Sequence, residues 1–137
     1  MRVLALDHGS ARCGCALSDP TGTLATPIES VLRPETKAGI KQLRELVVQR
    51  EVDRVIVGLP LSLSGGDSDQ TRSARAFADK VRSALGPKIP VELYDERFTT
   101  TIAASSEGRE SEDSRAAAVL LDDWVARHGH EHWNRDE

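Results

Sequence analysis

The sequence predicts a single α/β domain built on a mixed five-stranded sheet with helices on its faces. Three short apolar segments at the start of the chain are joined by turn residues, a pattern typical of hairpin-connected strands. Two further apolar segments then alternate with three stretches whose apolar residues recur at helical spacing. Strands reached through a helix run parallel to a neighbour, whereas hairpin strands run antiparallel, so the predicted sheet is mixed.

The five predicted strands differ in their surroundings. The first covers residues 3–6, and the second, GCALSD, leads through a turn at residues 19–22 into the third, LATPIESVL. Pro27 in the third strand indicates an edge position, because proline cannot donate to the sheet ladder. The fourth strand, VIV, is a continuous apolar run, which is typical of a strand buried on both faces. The fifth covers residues 91–94.

Three helices are predicted between and after these strands. The first lies within residues 34–51, the second ends at Gly86 and Pro87, and the third is EDSRAAAVLLDDWVARHG. In the third helix we expect the inward side chains to be Ala117, Leu120, Leu121, Trp124 and Val125. The predicted domain covers residues 1–128, and residues 129–137 have no apolar period and are expected to form a loose tail.

Composition limits the classes of function. The chain has 137 residues, 39% of them apolar, and no apolar run long enough to cross a membrane, so we expect a cytoplasmic protein without a membrane partner. Its net charge of −4 argues against a nucleic-acid partner, unless several carboxylates gather around divalent ions that cancel their charge. Cys13 and Cys15 have no second cysteine pair with which to bind zinc, so we expect them to be small buried residues.

Three acids lie at the ends of predicted elements. Asp7 closes the first strand, Glu96 follows the last strand, and Asp113 precedes the sheet-facing residues of the last helix, whereas Asp122 should face water. Carboxylates that converge at one sheet edge repel each other unless cations hold them, and hard oxygen ligands suit Mg²⁺ or Mn²⁺. Two such ions form the usual clamp for phosphodiester hydrolysis, so these acids are candidates for metal binding and catalysis.

Each acid also has a simpler interpretation. Asp7 could be a turn residue, Asp113 could cap the last helix, and Glu96 could form a surface ion pair with Arg97. Asp95 competes with Glu96, because neighbouring strand residues point to opposite faces and only one of them can enter a shared site.

Four segments together resemble one known family. They are DHGSARCGCALSD, VIVGLPLSLSGGDSDQT, YDERFTT and EDSRAAAVLL, and they occur in the order that the family has them. The chain resembles the YqgF/RuvX family from residue 2 to about residue 127; these are Holliday-junction-resolvase-like proteins, also described as nucleases of pre-16S rRNA. Between the third and fourth segments the family has a longer stretch, whereas here Arg109 is the sole basic residue of TIAASSEGRES.

The resemblance implies an RNase H-like fold and a nuclease that acts on structured nucleic acid. It implies that Asp7, Glu96 and Asp113 are the metal-binding catalytic acids, with Mg²⁺ or Mn²⁺ as cofactor. Maturation of pre-16S ribosomal RNA is the function it favours, and cleavage of branched DNA at Holliday junctions is the alternative. The oligomeric state, monomer or homodimer, stays open.

Arginines are the candidates for contacts with phosphates. Arg12 and Arg97 lie close to the acids in sequence, and Arg72 and Arg75 could form a track along the second helix, which Lys80 and Arg82 would extend. Arg12 and Arg97 could equally be structural ion-pair donors. A solvated helix face is the simpler interpretation of the second helix and is favoured for Lys80 and Arg82.

The sequence is also compatible with three other functions. The first strand and its turn also resemble the phosphate loop of actin-like ATPases and sugar kinases, but those proteins contain two copies of the fold and this chain holds one. A non-catalytic RNase H-like module that binds nucleic acid is the stronger rival. A metal-binding tail is suggested by His128, His130 and His132, although this spacing also arises incidentally.

Overall fold

A computed structural model describes the backbone of residues 1–9, 11–21, 24–60, 68–95 and 112–133, with side chains over residues 114–127 of the last range. Within these ranges the chain forms five strands and three helices, in the order that the sequence predicts. They are β1 (Val3–His8), β2 (Arg12–Ser18), β3 (Ala25–Leu32), α1 (Lys37–Gln49), β4 (Arg54–Leu59), α2 (Asp69–Leu85), β5 (Val91–Asp95) and α3 (Glu112–Trp133).

The five strands form one mixed sheet in the order β3-β2-β1-β4-β5. β1 pairs antiparallel with β2 and parallel with β4, and β4 pairs parallel with β5. Among the described strands, β3 pairs only with β2 and is therefore an edge strand, as Pro27 indicates. The carboxyl ends of β1, β4 and β5 consequently lie along one edge, which we call the carboxyl edge of the sheet. The mixed five-stranded prediction is confirmed.

Helices cover both faces of the sheet. Side chains along each strand alternate between the two faces, and β1 carries apolar side chains on both of them. Leu4 and Leu6 of β1 pack into a core with α1 and α2, which also contains Cys13 and Cys15 as buried free thiols. Val3 and Ala5 belong to a second core on the other face, formed with α3. The α3 core contains the predicted inward residues Ala117, Leu120, Leu121 and Trp124, with Val125 partly buried against it. The two faces are called here the α1/α2 face and the α3 face.

The last helix is longer than the sequence predicts. α3 continues to Trp133, past Gly129, where the loose tail was expected to begin. Glycine costs only about 1 kcal/mol inside a helix, so a helix already anchored by an apolar face can pass through it. Among the described residues, no helix is both long enough and apolar enough to cross a membrane.

The start of α1 is packed tightly against the turn that precedes it. Thr36 caps the helix, and its hydroxyl accepts a hydrogen bond from the backbone N–H of Gly39 at 3.1 Å. A Cβ atom on Gly39 would lie 2.3 Å from the carbonyl oxygen of Arg33 and 2.7 Å from Cα of Pro34. Arg33 itself has a positive φ of 46°. Only glycine therefore fits position 39 without moving this turn.

We expect Gly39→Ala to lower the free energy of unfolding by roughly 1–3 kcal/mol, because the added methyl group meets fixed backbone. Helix propensity alone predicts the opposite sign, since alanine is about 1 kcal/mol better than glycine in a helix. Urea unfolding measures the difference, with Gln42→Ala on the exposed side of α1 as control, expected to change stability by less than about 0.5 kcal/mol. A stabilised Gly39→Ala variant would contradict this packing.

Candidate functional site

Asp7 lies at the carboxyl edge, within β1 rather than in a turn. It pairs with Gly14 of β2 in the antiparallel ladder, and the strand continues for one more residue to His8. Because Val3 and Ala5 pack in the α3 core, Asp7 extends the same face. Its side chain is half-buried. The interpretation of Asp7 as a turn residue is therefore wrong, and the carboxylate is fixed by the central strand of the sheet.

The turn after β1 requires glycine. A Cβ atom on Gly9 would lie 2.8 Å from the carbonyl oxygen of Arg12, a distance that real Cβ atoms do not reach. The chain therefore reverses closely after Asp7 and enters β2 directly. Ser10 lies outside the described residues.

The first turn of α3 is attached to the sheet beside Asp7. The buried hydroxyl of Ser114 accepts a hydrogen bond from the backbone N–H of Cys15 at 3.2 Å and lies 3.3 Å from the hydroxyl of Ser30. Cys15 follows Gly14, the ladder partner of Asp7. This contact therefore brings the start of α3 to the strand pair that carries Asp7.

Asp113 precedes Ser114, and its backbone lies in the first turn of α3. The helix begins at Glu112, so Asp113 is inside it and does not stand before it as a cap. It is four residues before the buried Ala117, and such residues share one face of a helix. The side chain of Asp113 is outside the described part of the structure. Asp122, expected to face water, is exposed.

Strand alternation in β5 fixes the face on which Asp95 lies. Glu92 and Tyr94 lie on the α3 face, where Glu92 accepts a hydrogen bond from Trp124 Nε1 at 2.9 Å and Tyr94 packs against the core. Val91 and Leu93 belong to the opposite core, and Asp95 follows them in the same alternation. Asp95 is thus on the α1/α2 face, away from Asp7. Glu96 and Arg97 lie outside the described residues.

His8 fixes the end of β1 from the α1/α2 face, a role that the sequence did not reveal. Its side chain is only 4% exposed, stacks on Phe77 of α2 with ring centroids 4.5 Å apart, and places Nε2 3.4 Å from Oε2 of Glu35. Burial lowers the pKa of His8, and the neighbouring Glu35 carboxylate offsets part of that effect. A lone histidine at a strand end carries no pattern that would reveal such packing in advance.

Of the arginines predicted to contact phosphates, the three that the structure describes, Arg12, Arg72 and Arg75, lie near the carboxyl edge. Arg12 is exposed at the start of β2, next to the end of β1. The first turn of α2 is tied to the end of β4, because the hydroxyl of Thr71 donates to the Pro60 carbonyl at 2.5 Å. Arg72, which pairs with Asp69, and Arg75 are therefore exposed near this edge on the α1/α2 side.

Arg82 serves the fold. Its guanidinium donates to Asp79 at 2.7 Å and to the carbonyl of Val91 at 2.9 Å, which ties α2 to the start of β5. The interpretation of Arg82 as part of a solvated helix face therefore misses its hydrogen bond to β5.

The three acids predicted to bind metal do not all lie within the described region. Among the side chains that the structure describes, no three of the types His, Cys, Asp and Glu gather closely enough to hold a metal ion. Of the three predicted ligands, only Asp7 has a described side chain. The side chains of His128, His130 and His132, at the end of α3, are also outside the described part.

Comparison with protein families identifies the chain. The model of the RuvX family, described as Holliday junction resolvase, matches residues 1–127. The chain belongs to this family. The RuvX match spans all five strands, α1, α2 and most of α3, so it includes every element that surrounds Asp7.

Relatives of this RuvX chain carry the curated name "Putative pre-16S rRNA nuclease". The protein from Koribacter versatilis is 38% identical over 138 residues, covering 93% of this chain and 88% of its own length. That from Streptomyces coelicolor is 40% identical over 129 residues, covering 88% of this chain and 77% of its own.

Solved structures confirm the predicted RNase H-like fold. The RuvC of Thermus thermophilus in complex with a Holliday junction substrate superimposes with a TM-score of 0.60 at 17% identity, covering 94% of this chain and 96% of that one. A second structure of Thermus thermophilus RuvC gives a TM-score of 0.54. At this identity the likeness concerns the fold.

We expect Ser114→Ala to lower the free energy of unfolding by about 1–3 kcal/mol, because the buried N–H of Cys15 loses its acceptor. Thermal or urea unfolding measures the loss. Ser30→Ala is the control, because it removes a hydroxyl near Ser114 but leaves the acceptor of the Cys15 N–H in place, so a smaller loss is expected. Equal losses in the two variants would show that the Cys15–Ser114 bond does not anchor α3.

Proposed function

We propose that the protein is a divalent-metal-dependent nuclease that hydrolyses phosphodiester bonds of structured nucleic acid, with pre-16S ribosomal RNA as its substrate in the cytoplasm. The observation that carries this proposal is the carboxyl edge, where Asp7 on the central strand lies beside the anchored first turn of α3. Family membership and the curated names of the relatives support it.

Asp7, Glu96 and Asp113 are the proposed ligands of Mg²⁺ or Mn²⁺. The donor set fits these cations in kind, because carboxylate oxygens are the hard ligands that they prefer. The anchoring of α3 beside Gly14 supports the inclusion of Asp113, and the position of Asp95 on the α1/α2 face supports Glu96. When bound, such cations would lower the pKa of a bound water molecule and would stabilise the negative charge that develops on the leaving oxygen.

The chain's own contribution is to hold the acids rigidly before a substrate arrives. β1 is the central strand, and its ladders to β2 and β4 fix the backbone of Asp7 on both sides. His8 fixes the end of the same strand by packing on Phe77. Rigid placement lowers the entropic cost of bringing the negative side chains together, because they have little conformational freedom left to lose when the site is filled.

The proposed phosphate contacts differ in their positions. Arg12 and Arg97 are assigned to the substrate near the acids, and Arg72 and Arg75 to a more distant part of it, because α2 packs on the other face of the sheet. A guanidinium can bind two phosphate oxygens at once, which makes arginine well suited to positioning a backbone.

Branched DNA is the second candidate substrate. The family description, Holliday junction resolvase, favours it directly. RNA remains the first choice because the curated relatives of high coverage are named for pre-16S rRNA.

We expect Asp7→Asn to reduce metal-dependent cleavage at least about 100-fold, because an amide neither neutralises nor binds a divalent cation as a carboxylate does. The assay incubates the protein with structured pre-16S RNA and with a four-way DNA junction, each with Mg²⁺, Mn²⁺ or EDTA. The matched control is Asp122→Asn, the same change at an exposed position of α3, and it should keep full activity.

Two outcomes would contradict the proposal. Cleavage that persists in Asp7→Asn would remove Asp7 from the site, and tight binding without cleavage under every metal condition would favour a non-catalytic module. Comparison of the two substrates decides between RNA and DNA. Calorimetric titration of Mn²⁺ provides an independent readout, since the heat of binding should be lost in Asp7→Asn and retained in Asp122→Asn.

Asp95 and Glu96, which are neighbours in the sequence, offer a second matched pair of variants. We expect Glu96→Gln to abolish cleavage and Mn²⁺ binding, whereas Asp95→Asn should change both by less than about threefold, because strand alternation turns Asp95 to the α1/α2 face. The reverse pattern would assign the metal to Asp95 and would show that the alternation of β5 is broken at its end.

A further inference from the structure

We propose that the groove between α1 and α2 binds the phosphate backbone of a nucleic-acid single strand that extends beyond the catalytic edge. This inference rests on the proposed function and adds a second contact surface on the α1/α2 face, opposite to that of Asp7. We call this surface the α1–α2 groove; its basic residues are Lys37, Lys41 and Arg44 of α1 and Lys80 of α2.

The α1–α2 groove is large and open. Its volume is about 710 Å³, within the range of established ligand sites. Ile40 and Ala84 contribute apolar surface between the charged side chains. An open groove suits an extended polymer better than it suits a small molecule that must be enclosed on all sides.

The three cations that α1 contributes to the groove have no ion-pair partner among the described residues. Lys37, Lys41 and Arg44 are exposed and follow each other at helical spacing, so they form one stripe along α1. In the described part of the chain, no carboxylate lies within ion-pair distance of these three. This is notable in a protein whose net charge is −4.

The two acids that line the groove already have partners. Glu35 lies 3.4 Å from His8 and 3.9 Å from Lys80, and Asp79 is bound by Arg82 at 2.7 Å. The lining therefore keeps an excess of positive charge, which attracts a polyanion and is strengthened by the low-dielectric walls of a groove.

The groove begins at the carboxyl edge. Glu35 lines the groove and also contacts His8, which directly follows Asp7 in β1. Arg75 lies four residues before Asp79 on α2, so it extends the lining towards the same edge. A strand held at the edge can thus reach the basic stripe of the groove by passing Arg75.

The spacing of the stripe fits phosphates. Lys37 and Arg44 are separated by about 10 Å along the helix axis at about 1.5 Å per residue. Stacked nucleotides advance about 3.4 Å each, so the stripe spans about three phosphates. An acidic peptide could also pair with these cations, but the linear arrangement and the proposed substrate favour nucleic acid.

The test measures RNA binding in EDTA, where cleavage does not interfere. Fluorescence anisotropy compares a labelled RNA hairpin that carries a single-stranded extension with the same hairpin without it, over a range of KCl concentrations. Lys41→Glu is compared with Lys88→Glu, the same change at an exposed lysine outside the groove. Lys41→Gln provides a milder variant, and thermal unfolding verifies that each variant is folded.

We expect Lys41→Glu to weaken binding of the extended hairpin about fivefold or more and to reduce the salt slope by about 0.7, the loss of one single-strand phosphate contact. Lys41→Gln should show a smaller loss of the same kind. Lys88→Glu, and the hairpin without an extension, should change less than about twofold.

Three results would overturn the inference. Equal effects of Lys41→Glu and Lys88→Glu would show only a general loss of charge. Competition by a poly-glutamate peptide as strong as that by extended RNA would assign the groove to an acidic protein. Lys41-dependent binding of a nucleoside triphosphate, as tight as that of the extended RNA, would assign it to a small molecule. Failure of the proposed nuclease function would be recognised separately, because it would abolish cleavage in the activity assay and would leave RNA binding in EDTA unchanged.

Discussion

The strict alternation of side chains along β1 is the constraint on which the rest of the site depends. It sends Asp7 to the α3 face and His8 to the α1/α2 face, at the point where the central strand ends. A shift of one residue would exchange them, burying a carboxylate against Phe77 and placing an imidazole beside α3. The apolar residues before them prevent this shift, since Leu4 and Leu6 fill one core while Val3 and Ala5 fill the other.

A second constraint is the joining of a distant helix to this strand. α3 comes last in the chain, yet its first turn lies on β2, one residue from the partner of Asp7. Burial of Trp124, Leu120 and Leu121 supplies the free energy that holds the helix on the sheet, but apolar burial has no direction and does not by itself set position along the helix axis. The hydrogen bond from the Cys15 N–H to the Ser114 hydroxyl fixes the position of α3 along its axis, because a shift of the helix would leave a buried N–H without an acceptor.

The sequence predicts the fold well because its signals are local. Continuous apolar runs, helical spacing and the Gly86–Pro87 stop each specify one element, and the order of elements then limits the sheet to a mixed one. Asp7 was a candidate for the same reason, since it closes an apolar strand. His8 and Ser114 were missed because their roles depend on Glu35, Phe77 and Cys15, residues far away in sequence. The extension of α3 to Trp133 was missed because the apolar period fades before the helix ends.

The distribution of charge reconciles an acidic protein with a polyanionic substrate. Nucleic acid is repelled by a net charge of −4 only if the charge is spread evenly, and here it is not. The proposed metal site would place acids on the α3 face at the carboxyl edge, where bound cations reverse their sign. On the α1/α2 face, the acids of the groove pair with Lys80 and Arg82, and among the described residues no carboxylate lies within ion-pair distance of the lysines of α1. His8 holds the end of the strand that carries Asp7, and its neighbour Glu35 pairs with Lys80 of the groove, so the carboxyl edge and the α1–α2 groove share one packed contact.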